Sequence, residues 1–324
     1  MTAVSLKSIR EPVRTELKVF DRYFKEVMQS RIGLLNWVLK YLVKTKGKQI
    51  RPLLVLLSAK ANGPIVQKSH TAAALLELLH TATLVHDDVV DEADKRRGWF
   101  TINALWKNKA SVLVGDFLLS RGMLLALENK YYTILEILSR AVKSMSEGEL
   151  LQMEKSRKPD LTEEVYMDII KGKTASLLAA ACAAGAASVT DSQDAIKRME
   201  SFGMYLGMAF QIKDDLLDME GSTGKTRGQD LLDRKITLPV IYALSHSEMS
   251  DRKQMQRLIA KKKKTRTELH RLFDWIAEKG GVEYAREKML HYRTLALSEM
   301  EPLEDSESKA ALAQLCYYVT DRKK

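Results

Sequence analysis

With 324 residues, 45% of them hydrophobic and 29% charged, the chain has enough apolar material for a large core, which excludes an intrinsically disordered protein. Its net charge is +10, but the densest basic run, Lys261 to Lys264, has no interleaved aromatic residues to stack on bases. A solvated helix end or interhelical turn is therefore favoured over a nucleic-acid partner. The two cysteines, Cys182 and Cys316, form neither a CxxC pair nor part of a His-rich cluster, so a thiolate metal centre is unsupported and a reducing cytoplasm fits.

From Met1 to Pro12 there are charges and no sustained apolar stretch, so no export signal is expected. No segment reaches the ~18 apolar residues of a membrane span. Glycine (16) and proline (6) are scarce, no proline lies between Pro64 and Pro159, and apolar alternation over strand length is hard to find. Long helices and an all-α fold are predicted. No linker splits the chain, so residues 1–324 are read as a single domain.

In chain order, Lys46-Gly47-Lys48-Gln49-Ile50-Arg51-Pro52 sets Lys48 and Arg51 three apart around a helix start, a basic pocket suited to a diphosphate. Asn62-Gly63-Pro64 then signals a turn. Beyond it Ala74, Leu75, Leu78, Leu79, Ala82 and Val85 recur at three and four, predicting a long helix that runs into Asp87-Asp88-x-x-Asp91. His80 lies seven residues before Asp87, on the same face and about two turns or ~10 Å away. Arg96 and Arg97 follow the motif; they suit bidentate phosphate recognition, or can pair with Glu92 or Asp94.

Lys158-Pro159-Asp160 is the next break, and Thr162 before Glu163 and Glu164 predicts the N-cap of a helix carrying Lys171, Lys173 and Thr174. The Ala-rich stretch from Ala175 to Ala187 is too short to span a bilayer and suits close helix packing. A second acidic motif, Asp214-Asp215-x-x-Asp218, follows Phe210 and Gln211, and a loop is expected over Gly221 to Gly224. Gly224-Lys225-Thr226 mimics the end of a phosphate-binding loop, but the required earlier glycine falls at Met219 and no strand precedes it. Lys225 and Lys235 can close the acidic site electrostatically.

The first and last Asp of each motif are four apart, so on a helix both carboxylates project from one face, ~6 Å apart. Crowded carboxylates are unfavourable without a neutralising cation, and hard oxygen ligands suit Mg²⁺ bridged to a polyphosphate, which implies a diphosphate substrate. One copy alone is equally well a solvated helix end. The second copy, in the same apolar setting, favours a metal cage.

In this order the basic site, the two acidic motifs, the arginine pair and Lys173-Thr174 resemble the trans-isoprenyl diphosphate synthases, the head-to-tail prenyltransferases, over nearly the whole chain. Two departures stand out: Lys46-Gly47 replaces the family's paired glycines, and Gln49 replaces its usual Arg. The resemblance implies an isoprenoid synthase bundle of long helices around a central apolar cavity. By the same resemblance Lys48, Arg51, His80 and Arg97 bind the diphosphate of isopentenyl diphosphate, and Arg96, Lys173, Lys225 and Lys235 hold the allylic diphosphate. Asp87, Asp91 and Asp214 would bind three Mg²⁺ most directly, with Asp88, Asp215 and Asp218 in support, while Thr174 and Gln211 direct oxygen dipoles toward the allylic cation.

Ala82 and Thr83, one turn before Asp87, are not the bulky aromatics that close the tunnel in short-chain members. An apolar, water-excluding tunnel for a product of about C35 to C45 is therefore implied, with octaprenyl favoured and a quinone side chain as its use. A farnesyl primer, a homodimer and a cytoplasmic enzyme touching membrane transiently during release are expected from the same resemblance. The alternatives are a shorter-chain farnesyl or geranylgeranyl synthase, a class I terpene cyclase, whose second metal motif mixes Asn, Ser or Thr with Glu, and a non-catalytic partner subunit, which the intact Asp motifs oppose.

Overall fold

The structure is a computed structural model that describes residues 5–45, 47–96, 98–155, 161–221 and 227–322. Its first half comprises α1 (Leu6–Arg10), a 3-10 turn (Glu11–Val13), α2 (Arg14–Val27), α3 (Gly33–Lys44), α4 (Ile50–Asn62) and α5 (Gln67–Val90). A two-residue hairpin, β1 (Lys95–Arg96) against antiparallel β2 (Trp99–Phe100), leads into α6 (Ile102–Glu128) and α7 (Tyr132–Lys155). Then come α8 (Glu163–Ile170), one π-helical turn (Lys171–Ala175), α9 (Ser176–Ala187) and α10 (Gln193–Glu220). The remainder is α11 (Gln229–Leu232), α12 (Leu238–Ser245), α13 (Met249–Ala260), α14 (Arg266–Glu278), α15 (Gly281–Glu299) and α16 (Glu307–Asp321).

The all-α expectation holds apart from the hairpin. Helix starts follow local chemistry: Thr162 Oγ accepts the Val165 N–H at α8, as its sequence predicts. At α14, Thr265 and Glu268 form a reciprocal capping box, and Glu268 also takes Lys261 at 2.6 Å. The basic run thus ends against a helix start. Helix α6 is interrupted at Lys107, whose φ of 67° and ψ of 171° lie outside helical space.

Every residue of α9 is buried. A helix apolar on all sides belongs at the centre of a bundle, and α9 packs against α4, α7 and α10. Its small side chains permit that approach: a Cβ on Gly185 would lie 2.3 Å from the Val55 carbonyl oxygen of α4. Two clusters of buried apolar side chains result, one around α4, α5 and α9 and the other around α12 to α15, and α10 contributes to both. Two stretches, Ile102–Glu128 and Glu163–Ala187, are long and apolar enough on average to cross a membrane, more than unbroken apolar runs suggest. In the second, 78% of its most apolar 18-residue window is buried within the bundle, which accounts for its apolarity.

The close crossing at Gly185 makes a direct test. Gly185→Ala has to push α9 off α4 and is expected to lower stability by about 1–3 kcal/mol, read by denaturant unfolding.

Candidate active site

The first acidic motif sits at the C-terminal end of α5, where Asp91 is the cap and its N–H closes the last turn on the Asp87 carbonyl at 2.8 Å. Asp87 is half-buried and Asp91 exposed, on one face as their spacing requires. Asp88 turns inward, is 5% exposed, and accepts from Arg96 Nε at 2.8 Å. Burial, with Glu149 nearby, raises the Asp87 carboxyl above its usual range against the pull of Lys173 and Arg96. Lys173 itself is paired with Glu149 at 2.6 Å.

The second motif lies in the last turns of α10. Asp215 is buried and accepts on both oxygens, from Tyr166 Oη at 2.6 Å and from Gln211 Nε2 at 3.0 Å. Burial, then the proximity of Asp230, pushes its carboxyl up to about 8, opposed by those two donors. The Tyr166 phenol, also buried, is held well above its ordinary range by desolvation and by Asp215. Asp218 accepts the N–H groups of Gln229 and Asp230, each at 3.1 Å, which ties the start of α11 to α10. Asp214 is paired with Arg322, from just beyond α16, and the Arg322 guanidinium also lies 4.4 Å from the Phe210 ring centre.

Between the motifs, the π turn places Thr174 so that its hydroxyl donates to Gln211 Oε1 at 2.8 Å. Wide turns of this kind recur at functional sites because they re-aim side chains within a helix. Gly172 and Gly148 let α7 approach the turn: a Cβ on Gly148 would lie 2.6 Å from the Lys173 nitrogen.

A cavity of about 500 Å³ adjoins these groups. Lys48, Arg51, His80, Arg96 and Arg322 supply its basic side, with Asp88 and Thr174 beside them, and Phe24, Met28, Leu84, Val85, Leu178 and Phe210 are among its apolar walls. The basic site before α4 is therefore brought to the first acidic motif. Gln49, the departure from the family pattern, has a left-handed φ of 47° and donates to Asp21 at 2.9 Å.

Other expectations are met differently. Arg96 pairs with neither Glu92 nor Asp94 but with Asp88, because the hairpin folds β1 back over the end of α5. Lys235 is exposed and does not line this cavity. Neither do Ala82, which is fully buried, and Thr83, whose hydroxyl donates to the His80 carbonyl at 2.9 Å; the cavity runs along the Thr81, Leu84 and Val85 side of α5. Arg97, Lys225 and the loop after Gly221 lie outside the described residues. Glu149, Tyr166 and Arg322 escaped the sequence reading, since each reaches the site from an element distant in sequence and none belongs to a local motif.

Among the described residues no three Asp, Glu, His or Cys side chains converge into a ready-made metal site. The donor set nevertheless fits a hard divalent cation: it offers carboxylate oxygens, and the crowding of Asp87 by Glu149 is what a cation would relieve.

The polyprenyl synthetase family profile matches residues 33–276. The chain belongs to the polyprenyl synthetase family. It is a prenyltransferase. Octaprenyl diphosphate synthase of Escherichia coli (strain K12) is 36% identical to it, over 98% of this chain and 99% of that one. A decaprenyl diphosphate synthase from Rhodobacter capsulatus superposes with a TM-score of 0.91 at 33% identity, covering 98% of each chain. A polyprenyl synthase from Caulobacter crescentus CB15, complexed with calcium and isoprenyl diphosphate, superposes with a TM-score of 0.89 at 31% identity, covering all of both chains.

In this prenyltransferase the elevation of Asp215 carries a stability consequence. Its folded-state value is about 8, against ~3.9 for an unfolded Asp. The associated stabilisation is fully present below the lower value and is lost as pH rises through the higher one. Urea unfolding of the metal-free protein at stepped pH should show stability falling across that window, and Asp215→Asn should flatten the fall.

Proposed function

We propose that the chain is a long-chain all-trans-polyprenyl diphosphate synthase that condenses isopentenyl diphosphate head-to-tail onto an allylic diphosphate, with farnesyl diphosphate as primer and octaprenyl diphosphate as product. Its proposed use is the side chain of a quinone. The observation that carries the reading is a cavity basic on one side and apolar in its body, beside the two acidic motifs of α5 and α10. Octaprenyl and decaprenyl synthases among the relatives support a long product.

Lys48, Arg51 and His80, with Arg97, bind the isopentenyl diphosphate. Arg96 and Lys173, with Lys225 and Lys235, hold the allylic diphosphate, the first two by exchanging their present partners Asp88 and Glu149. Asp87, Asp91 and Asp214 hold the metal, supported by Asp88, Asp215 and Asp218. When bound there, Mg²⁺, as three ions, would supply positive charge to stabilise departing pyrophosphate. The allylic C–O bond breaks with its electron pair leaving on pyrophosphate. The π pair of the isopentenyl alkene then forms the new C–C bond, and the proton lost from the adjacent carbon goes to pyrophosphate. Thr174 and Gln211 stabilise the intermediate cation by oxygen dipoles, a contribution made where charge develops. The apolar walls exclude water that would quench it. The growing chain extends along the Thr81, Leu84 and Val85 side of α5 rather than past Ala82 and Thr83, which do not line the cavity.

The chain acts as one unit over residues 1–324, which the participation of α10 in both core clusters supports. The proposed location is the cytoplasm, with membrane contact limited to product release; the burial of the α8–α9 stretch fits a bundle core rather than a membrane span. A homodimer is proposed through α6 and α7, whose outer faces expose Leu113 (68%), Leu124 (50%), Tyr132 (60%) and Met153 (61%). Large exposed apolar side chains on two packed helices suit a helix-to-helix contact with a second copy. The double substitution Leu113→Glu and Leu124→Glu should shift the protein from dimer to monomer in sedimentation velocity, leaving helical content unchanged.

Activity is tested by incubating purified protein with Mg²⁺, farnesyl diphosphate and labelled isopentenyl diphosphate, then dephosphorylating and chromatographing the alcohols. Products near C40 are expected, and Asp87→Ala or Asp214→Ala should each lower turnover by about 10²–10³-fold. Products no longer than C20 would refute the long tunnel, and absence of elongation would refute the synthase reading.

A further inference from the structure

A directional hydrogen-bond chain runs from the second core cluster to the cavity. Both oxygens of the Asp215 carboxyl accept, one from Tyr166 Oη and one from Gln211 Nε2. With its amide nitrogen committed to Asp215, Gln211 must turn its oxygen the other way, where it accepts the Thr174 hydroxyl. Thr174 thereby spends its only proton on Gln211, and what it presents to the cavity it lines is lone pairs. Every donor in the chain points toward Asp215, so every negative dipole end points toward the substrate side.

Tyr166 is the outermost member of this chain. It is 4% exposed, comes from α8 rather than α10, and its hydroxyl makes the 2.6 Å contact that fixes the Asp215 oxygen Gln211 does not use. Without that donor the buried Asp215 carboxyl is free to rotate toward Gln211, pulling the amide out of line with Thr174.

We propose that Tyr166 is a positioning residue for allylic ionisation: by anchoring Asp215 it sets the amide of Gln211 and the hydroxyl of Thr174 so that both offer lone pairs to the developing cation. The proposal rests on the synthase reading above, in which Thr174 and Gln211 face that cation. It assigns Asp215 an orienting task in addition to any support it gives the metal.

The test is a cycle of Tyr166→Phe, Gln211→Ala and the double variant, read as kcat and KM for both diphosphates. Tyr166→Phe should lower kcat by about 10-fold with both KM values within about twofold, the pattern of an interaction realised only in the transition state. In the Gln211→Ala background the same change should cost little more, because its effect passes through Gln211. An unchanged kcat in Tyr166→Phe, a loss confined to KM, or a full further loss in the double variant would overturn the proposal. Should Tyr166→Phe fail to fold, Tyr166→Met, which also removes the donor, is read in the same cycle with Gln211→Ala, with non-additive loss expected and additive loss overturning the proposal. An inactive wild-type chain overturns the synthase reading and this inference with it, whereas an active wild type with an indifferent Tyr166→Phe overturns this inference alone.

Discussion

Mutual repulsion among carboxylates gathered at the ends of two helices is the constraint around which this site is organised. Buried or half-buried acids cost stability unless something donates to them or neutralises them. Each motif answers by dividing its acids. Asp88 takes Arg96, Asp215 takes Tyr166 and Gln211, and Asp218 takes the first amides of α11. Asp87 stays raised by burial and by Glu149, and Asp91 faces solvent. The inward acids thus serve as anchors for neighbouring elements, while the outward ones carry charge that a cation and a diphosphate can complete.

Most of the helical frame was legible in the chain because it rests on local rules. The turn at Asn62-Gly63-Pro64, the Thr162 cap, the apolar periodicity leading into Asp87 and the small-residue run that became α9 all appear where their chemistry places them. What local rules could not give were departures imposed by tertiary contact. The hairpin at Arg96 is folded over α5 by an ion pair to Asp88. The π turn at Lys173 and Thr174 sits where Gly172 and Gly148 bring two backbones together. The interruption at Lys107 has no glycine or proline to announce it.

The site divides along the same line. Asp motifs with i, i+4 spacing and adjacent basic residues are visible in sequence because the helix itself aligns them. Glu149, Tyr166 and Arg322 are not, because they arrive from α7, α8 and the end of α16 and acquire meaning only from what they touch. Arg96 was identified as a cation beside the first motif, yet its partner is the motif's own second Asp, so the arginine orders the site before any substrate arrives.

We propose that a divalent cation binds the two acidic motifs together with a diphosphate, whose oxygens join the carboxylate of Asp87 around the ion. Titration calorimetry of Mg²⁺ into the protein, with and without inorganic pyrophosphate, addresses it most directly. Weak binding to the protein alone, markedly tighter binding with pyrophosphate present, and loss of that enhancement in Asp87→Ala are expected. Equally tight binding with and without pyrophosphate, or an enhancement indifferent to Asp87, would contradict it.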